Sequence, residues 1–368
     1  MKKSAKIIAL TVFAAGAFTL SACGGCSGCG GTTTYKITTA PNWQIRGSSA
    51  DDLETSSVLF EAKETAVYTV DFSKGANTNY SLEYTQGQYT TTFYAIQYNW
   101  NDSSIPQELK AEGETDPVYV YETSLTLTGK FVVGSDEHEF TNVIETVSYF
   151  RSAANNLLPV YSMQDIQCTS PNSLQPASIE TAYVEMDRVY ETYYSRDGGT
   201  AVTTVTARGN DDIQSGTTTA GTGTEYTLFD SSSLGVALRS MSQSSTQLFD
   251  VFVPVNGANA RYQAAWGSSA TVASDNDAYT GIIAAMNSAA EDGYILNGRD
   301  EEGARQFSWT PVTVSLVSSM AGPSNTYYYA SVTNADLNTQ RAVLMRVEEV
   351  VPFNLGTIVY NLQSVELN

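Results

Sequence analysis

Cys23, Cys26 and Cys29 stand at C-x2-C-x2-C spacing, the opening of an iron–sulfur ligand pattern. No fourth thiol follows nearby, the next being Cys168, so a cluster is not expected. Gly24, Gly25, Gly28, Gly30 and Gly31 make the same stretch a flexible tether. Cys168 reads as a small buried hydrophobe, because a nucleophilic thiol needs a base and the chain has one histidine. That residue, His138, follows Gly134-Ser135 within Asp136 to Glu139, a turn that should expose it to solvent without further metal ligands at useful spacing. Asp275-Asn276-Asp277 before Gly281 lacks the ligand order of a calcium loop and reads as a helix cap. Asp300-Glu301-Glu302 between Arg299 and Arg305 reads as a charged loop. Two carboxylates held about 5 to 10 Å apart could hydrolyse a glycoside, but 39 acidic residues make chance pairs inevitable. No lysine occurs after Lys130, which removes most Schiff-base chemistry. No catalytic residue, metal site or cofactor is therefore expected. Trp43, Trp100, Trp266 and Trp309 could stack on sugar rings or line an apolar groove, with burial in a core as the default.

Whatever does the work must be carried on β-structure. Among 368 residues there are 23 Tyr, 13 Phe and 4 Trp, and only 16% are charged, a composition suited to strands rather than a helical bundle. Period-two alternation begins at Val67 to Val70 and continues through Tyr80, Leu82 and Tyr84. Gln86-Gly87 predicts a turn, with a return strand from Tyr89 to Tyr98 that puts Thr90, Thr92, Tyr94, Ile96 and Tyr98 on one face. The polar stretch from Asn99 to Pro117 reads as a loop, with a helical turn opening at Pro106, or as part of a subdomain seam near 99–130. Val118 to Val133 and Phe140 to Phe150 form a strand pair around Gly134-Ser135-Asp136. Ser178 to Tyr194 and Thr200 to Ala207 form another around Arg196-Asp197-Gly198-Gly199.

Gly209 to Gly223 is expected to be a mobile Gly/Thr-rich loop. Short helices are predicted over Ser231 to Met241 and Tyr279 to Ala290, and strands over Leu248 to Val255, Phe307 to Val317, Thr326 to Val332, Arg341 to Val351 and Gly356 to Leu367. The expected fold is mostly β: a large curved antiparallel sheet, or a sandwich or half-barrel, with two or three short helices. Apolar residues on both faces of the strands at Val143 to Val147 and Ala182 to Tyr193 require a sheet that is covered on both sides or curled.

The N-terminus carries an address. Lys2, Lys3 and Lys6 precede an apolar run from Ile7 to Leu20, shorter than the roughly 20 residues of a spanning helix. Leu20-Ser21-Ala22-Cys23 then resembles the lipobox of bacterial lipoproteins. That resemblance implies a signal peptide over 1–22, a diacylglycerol on Cys23, a lipidated tether over 23–34 and an ectodomain over 35–368. Gly24 in place of aspartate implies the outer membrane, or the outer leaflet of the cytoplasmic membrane, according to the host. Without the three signal lysines, 16 basic residues face 39 acidic ones, a net charge of −23 that disfavours nucleic acid as a partner.

A second resemblance runs through the strand Asn142 to Phe150, Leu157 to Ser162, Tyr193-Tyr194, and Leu228-Phe229-Asp230 leading into Leu234 to Arg239. Over about Leu125 to Tyr262 the chain is similar to uncharacterised bacterial envelope proteins related to half-barrel lipid carriers, from which the Gly/Thr loop and the C-terminal continuation depart. It implies a curved antiparallel sheet with a helix on its concave side and a groove for an acyl chain, with no residue carried over as a contact. The leading expectation is a non-enzymatic, lipid-anchored envelope protein that binds a hydrophobic or amphipathic ligand or serves as an envelope scaffold. The alternative is a surface lipoprotein that binds carbohydrate or cell wall, and a carboxylate-dependent hydrolase ranks below both. An internal apolar cavity would favour lipid, and a planar exposed aromatic row would favour sugar.

Overall fold

The computed structural model describes residues 63–111, 113–151, 157–209, 215–223, 225–243, 246–273, 279–291, 294–296, 306–317, 324–334 and 339–367. The first half is a meander of eight strands: β1 (Glu64–Lys74), β2 (Ser81–Asn99), β3 (Thr115–Val133), β4 (Asp136–Phe150), β5 (Pro159–Pro171), β6 (Tyr183–Tyr194), β7 (Thr200–Ala207) and β8 (Gly216–Gly221). Each pairs antiparallel with the next.

The second half contains β9 (Leu228–Asp230), α1 (Leu234–Arg239), β10 (Gln247–Val253), β11 (Ala258–Trp266), β12 (Ala270–Ala273), α2 (Thr280–Glu291), β13 (Tyr294–Leu296), β14 (Gln306–Leu316), β15 (Asn325–Asn334), β16 (Thr339–Val351) and β17 (Gly356–Leu367). The last strand returns to the first, from Glu64 opposite Leu367 to Lys74 opposite Gly356, and so joins the halves into one sheet. From that seam the order runs outward through β2 to β8 on one side and through β16, β15, β14, β11, β10 and β9 on the other. β12 continues the line of β11 beside β14, and β13 pairs with the far end of β15. Seventeen strands are described, and β9 with β10 is the one parallel pairing among them. The chain is thus mostly β, a large, largely antiparallel and unclosed sheet with two short helices.

Alternation in the sequence decides which face is covered. In β4, Phe140, Asn142, Ile144, Thr146, Ser148 and Phe150 are buried, and the residues between them point outward. The buried faces of both halves meet in one core: Tyr89 of β2 packs edge-on against Tyr360 of β17, and the Tyr68 hydroxyl donates to the carbonyl of Leu344. Helix α1 lies within this core with all six residues buried. The Tyr329 hydroxyl donates to the carbonyl of Gly235, and Arg239 Nη1 meets Glu64 Oε1 at 2.8 Å. The Ile282, Ile283 and Met286 stripe of α2 is buried as the sequence predicts. Curling brings the β9 end of the sheet onto β5 and β6. Asp230, at the end of β9, is fully buried; its carboxylate accepts Ser162 Oγ of β5 at 2.7 Å, the Tyr194 hydroxyl of β6, and the Ser232 amide at 2.8 Å.

Three expectations need correction. Gln86-Gly87 is not a turn: β2 runs through it, with a register shift between Tyr84 and Gln86. Gly87 is there for space, since a Cβ would stand 2.5 Å from Leu127 Cδ2 and 2.7 Å from Val70 Cβ. The Gly/Thr-rich stretch contains β8, whose ladder with β7 runs from Thr200 opposite Gly221 to Val205 opposite Gly216. The segment from Ser178 opens with a 3-10 turn over Ile179–Thr181, closed by a reciprocal Ser178–Thr181 capping box, before β6 begins. Strand β5 was not legible as a strand because its covered face carries Ser162, Gln164 and Ser170, which hides the alternation. The predicted turns hold, with Gly134 and Gly198 at φ +63° and +72°, the left-handed region that glycine enters without strain. Within the polar stretch from Asn99 to Pro117, Asn99 ends β2, residues 100–111 and 113–114 form a loop with a 3-10 turn, Gln107–Leu109, directly after Pro106, and residues 115–117 already belong to β3.

Candidate functional site

On the outer face of the first half, register aligns residues that lie far apart in sequence. Tyr94 of β2 is opposite Val120 of β3, Val120 opposite Tyr149 of β4, Tyr149 opposite Tyr161 of β5, and Tyr161 opposite Tyr193 of β6. One row across five strands therefore carries four tyrosines. Ring centroids are 5.2 Å apart for Tyr149 and Tyr161 and 4.9 Å for Tyr161 and Tyr193, with planes tilted 54° and 52°. Tyr98 meets the Tyr149 ring edge-on at 6.0 Å. All five tyrosines are half-buried.

The loop between β2 and β3 builds a wall along this row. Trp100 anchors its start: the ring is fully buried against Val118 and Val160, and Nε1 donates to Asp116 Oδ2 at 2.9 Å. The Trp100 amide donates to the Glu114 carbonyl and its carbonyl accepts from Ala111, which ties the ends of the loop together. Ile105 and Leu109 then pack down onto Val202 of β7, beside Tyr98 and Tyr193. Asp116 holds Arg196 through Nε at 3.1 Å and Arg151 through Nη2 at 3.4 Å. Burial works against its charge, but the hydrogen bonds from Arg196 and Trp100 outweigh it and hold the carboxyl below its ordinary range.

Between wall and row lies a groove of about 490 Å³. Its polar rim includes Gln97, Asn99, Asp102 and Glu191. The Ser104 amide and hydroxyl donate to Asp102 and lower its carboxyl pKa. Burial raises the Tyr98 and Tyr161 hydroxyl pKa values, with the charge of Glu191 adding at Tyr161, so both remain neutral donors. Tyr161 Oη stands 3.5 Å from Glu191 Oε1. A second hollow of about 230 Å³ continues along the same face beside Glu122, Glu145 and Met163. The surface offers flat apolar rings next to fixed hydrogen-bonding groups.

Cys23, Cys26, Cys29, Trp43, Asp275 to Asp277 and Asp300 to Glu302 lie outside the described residues. Trp100 and Trp309 are buried, and Trp309 packs among Tyr279, Phe307 and Tyr328. Trp266 is partly buried beside Tyr329. His138 is not simply solvent-facing: its ring stacks on Tyr183 at 3.9 Å, and Nε2 lies 3.8 Å from Glu185. It lines a separate hollow of about 320 Å³ where β4 and β5 part beyond Val143 and Gln167, with buried Cys168 in its wall. There the Asn142 side chain bridges the strands, donating to the Thr169 carbonyl at 3.2 Å and accepting its amide at 2.7 Å. Among the described residues, no three His, Cys, Asp or Glu side chains are grouped to hold a metal.

The tyrosine row escaped the sequence reading because the tyrosines belong to different strands. Tyr149 and Tyr193 fall at the next-to-last position of a strand, as does Tyr98 beside the row at the end of β2, and Tyr161 falls near the start of β5, whereas Tyr94 lies inside β2. Only the register shows that these ends coincide.

No protein-family model matches the sequence, and no curated protein matches it. Among solved structures, the chain is similar to a beta-barrel-like protein from Brucella abortus. That protein is described as a domain of unknown function, DUF1849; the alignment has a TM-score of 0.41 at 8% identity and covers 83% of this chain and 98% of the other.

Proposed function

We propose that this chain is a lipid-anchored, non-enzymatic protein of the cell envelope that binds carbohydrate in the groove between the Tyr149–Tyr161–Tyr193 row and the β2–β3 loop. The observation that carries this reading is the row itself. Sugars present apolar C–H faces edged by hydroxyls, and half-exposed aromatic rings beside amides and carboxylates complement both features. Gln97 and Asn99 each supply a donor and an acceptor, and Asp102 and Glu191 supply acceptors. The row spans several strands at about 4.8 Å each, so more than one sugar ring can lie along it.

The reading of an acyl chain in the concave side has less support. That side holds α1, with Leu234, Val236 and Leu238 buried among the aromatic residues of the core. Cys23, as the acylated residue of the lipobox-like Leu20-Ser21-Ala22-Cys23, would tether the groove to the membrane surface, within reach of envelope glycans.

A panel of immobilised oligosaccharides probed with the full chain and with Tyr161→Ala tests the assignment. Saturable binding to a glycan class that the variant loses supports it. Equal retention of both proteins on every glycan, or of neither on any, removes it.

A further inference from the structure

Resting on the carbohydrate reading, we infer that the sugar taken by this groove bears a positive charge, as a de-N-acetylated amino sugar does, and that Glu191 receives its ammonium group. The ionisable carboxylates in the groove lining are Asp102 and Glu191, and no Arg, Lys or His is among the lining residues. The nearby arginines are already engaged. Arg196 pairs with Asp116 and with Glu114 at 3.0 Å, and Arg151 pairs with Asp116. On the same face, Arg208 bridges Asp165 and Asp187.

The two carboxylates of the groove differ in what they have left to offer. Asp102 is committed to the amide and hydroxyl of Ser104, with a minor influence from Lys110. Glu191 has the Tyr161 hydroxyl at 3.5 Å, the limit of a hydrogen bond, and stands on the row directly beside the tyrosines, opposite Met163 and Thr204. Along that row, through Met163 and Val147, stands Glu122, three strand spacings or about 14 Å away. A ring lying on Tyr161 thus has a carboxylate at its edge, while Glu122 further on already accepts the Tyr94 hydroxyl at 2.7 Å.

An anionic sugar would meet these carboxylates in a partly desolvated groove whose lining holds no base, Lys110 near Asp102 and Lys63 over the Tyr94 ring standing outside that lining, and so would incur a like-charge penalty. A neutral sugar would stack but leave the charge of Glu191 unanswered. An ammonium would satisfy it with a charge-assisted hydrogen bond.

Calorimetric titration of the full chain with glucosamine oligomers, their N-acetylated counterparts and galacturonate oligomers tests this, with Glu191→Gln and Tyr161→Ala as variants. The expected result is at least tenfold tighter binding of the amine form than of the acetylated form at low salt. The gap should narrow at 0.5 M salt and in Glu191→Gln, and galacturonate should not bind. Equal binding of amine and acetylated forms, or any preference for galacturonate, overturns the inference and leaves the carbohydrate reading standing. Amine binding that neither variant weakens is diffuse attraction to an acidic protein and also overturns it. Failure of all three oligomers, together with failure of every glycan on the panel above, removes the reading on which it rests.

Discussion

Tyr161 and Tyr193 face each other across the β5–β6 ladder with ring centroids 4.9 Å apart, although 31 other residues separate them in the chain. The pairing depends on the register of that ladder, because a slip of one residue would send every side chain of one strand to the opposite face. One device fixes that register locally. Asp230 ties Ser162 of β5 and Tyr194 of β6, immediate neighbours of the paired tyrosines, from the covered side.

Asp230→Ala should therefore destabilise the protein by about 3 kcal/mol or more, because it removes hydrogen bonds to a buried charge and strands the Ser162 and Tyr194 hydroxyls. Asp230→Asn, which keeps the shape and part of the bonding, should cost less. Urea unfolding midpoints of the three proteins measure the difference. A midpoint for Asp230→Ala equal to that of the parent would contradict the role assigned to Asp230 in tying β9 to β5 and β6.

Asp116 gives the loop a pH dependence. Its folded-state pKa lies below the ordinary carboxylate value, so its contribution to stability is fully present above about pH 4, the unfolded value, and is lost as the pH falls through the folded one. Asp116→Asn should be less stable at pH 7 and should show a shallower loss of stability between about pH 5 and 2. Thermal midpoints across that range test the sign. A variant that steepens the acid limb would show the sign to be wrong.

Gly87 separates two accounts of β2. At the centre of a continuous strand packed against Leu127 and Val70, Gly87→Ala should cost about 1 to 3 kcal/mol through overpacking. At the tip of an exposed hairpin the same change would be nearly neutral. A guanidinium titration decides between them.

Cys23→Ala should abolish acyl labelling and release the protein from membranes, since about 0.8 kcal/mol per buried methylene is the whole of the proposed anchorage. Fractionation of cells with and without the substitution measures it. Membrane retention of an unlabelled variant would place the anchor elsewhere.

Much of the fold is legible in the sequence because alternation and turn chemistry are local. The β3–β4 and β6–β7 hairpins follow from apolar periodicity and from glycines at positive φ, and α1 and α2 follow from their apolar stripes. Local rules fail where the covered face is polar. β5 buries Ser162 and Gln164, partners for Asp230 and Ser231 that come from about 70 residues away, and so reads as irregular. β8 reads as a loop because Gly216–Gly221 has almost no apolar side chain; its ladder with β7 supplies what the side chains do not. The groove is a property of register. The expected mark of sugar binding is a planar, exposed row of tyrosine or tryptophan, whereas the row found is half-buried with ring planes tilted by 52° to 54°. Trp100 turns inward to anchor the loop, and the row is made of tyrosine.

The most direct test of the groove as a sugar site is calorimetric titration of the best-binding oligosaccharide into the parent protein, Tyr161→Phe and Tyr161→Ala. An aromatic stack is worth about 0.5 to 1.5 kcal/mol beyond buried area, so Tyr161→Phe should stay within about threefold of the parent while Tyr161→Ala loses about tenfold or more. Equal affinity of parent and Tyr161→Ala, with both proteins folded, would contradict it.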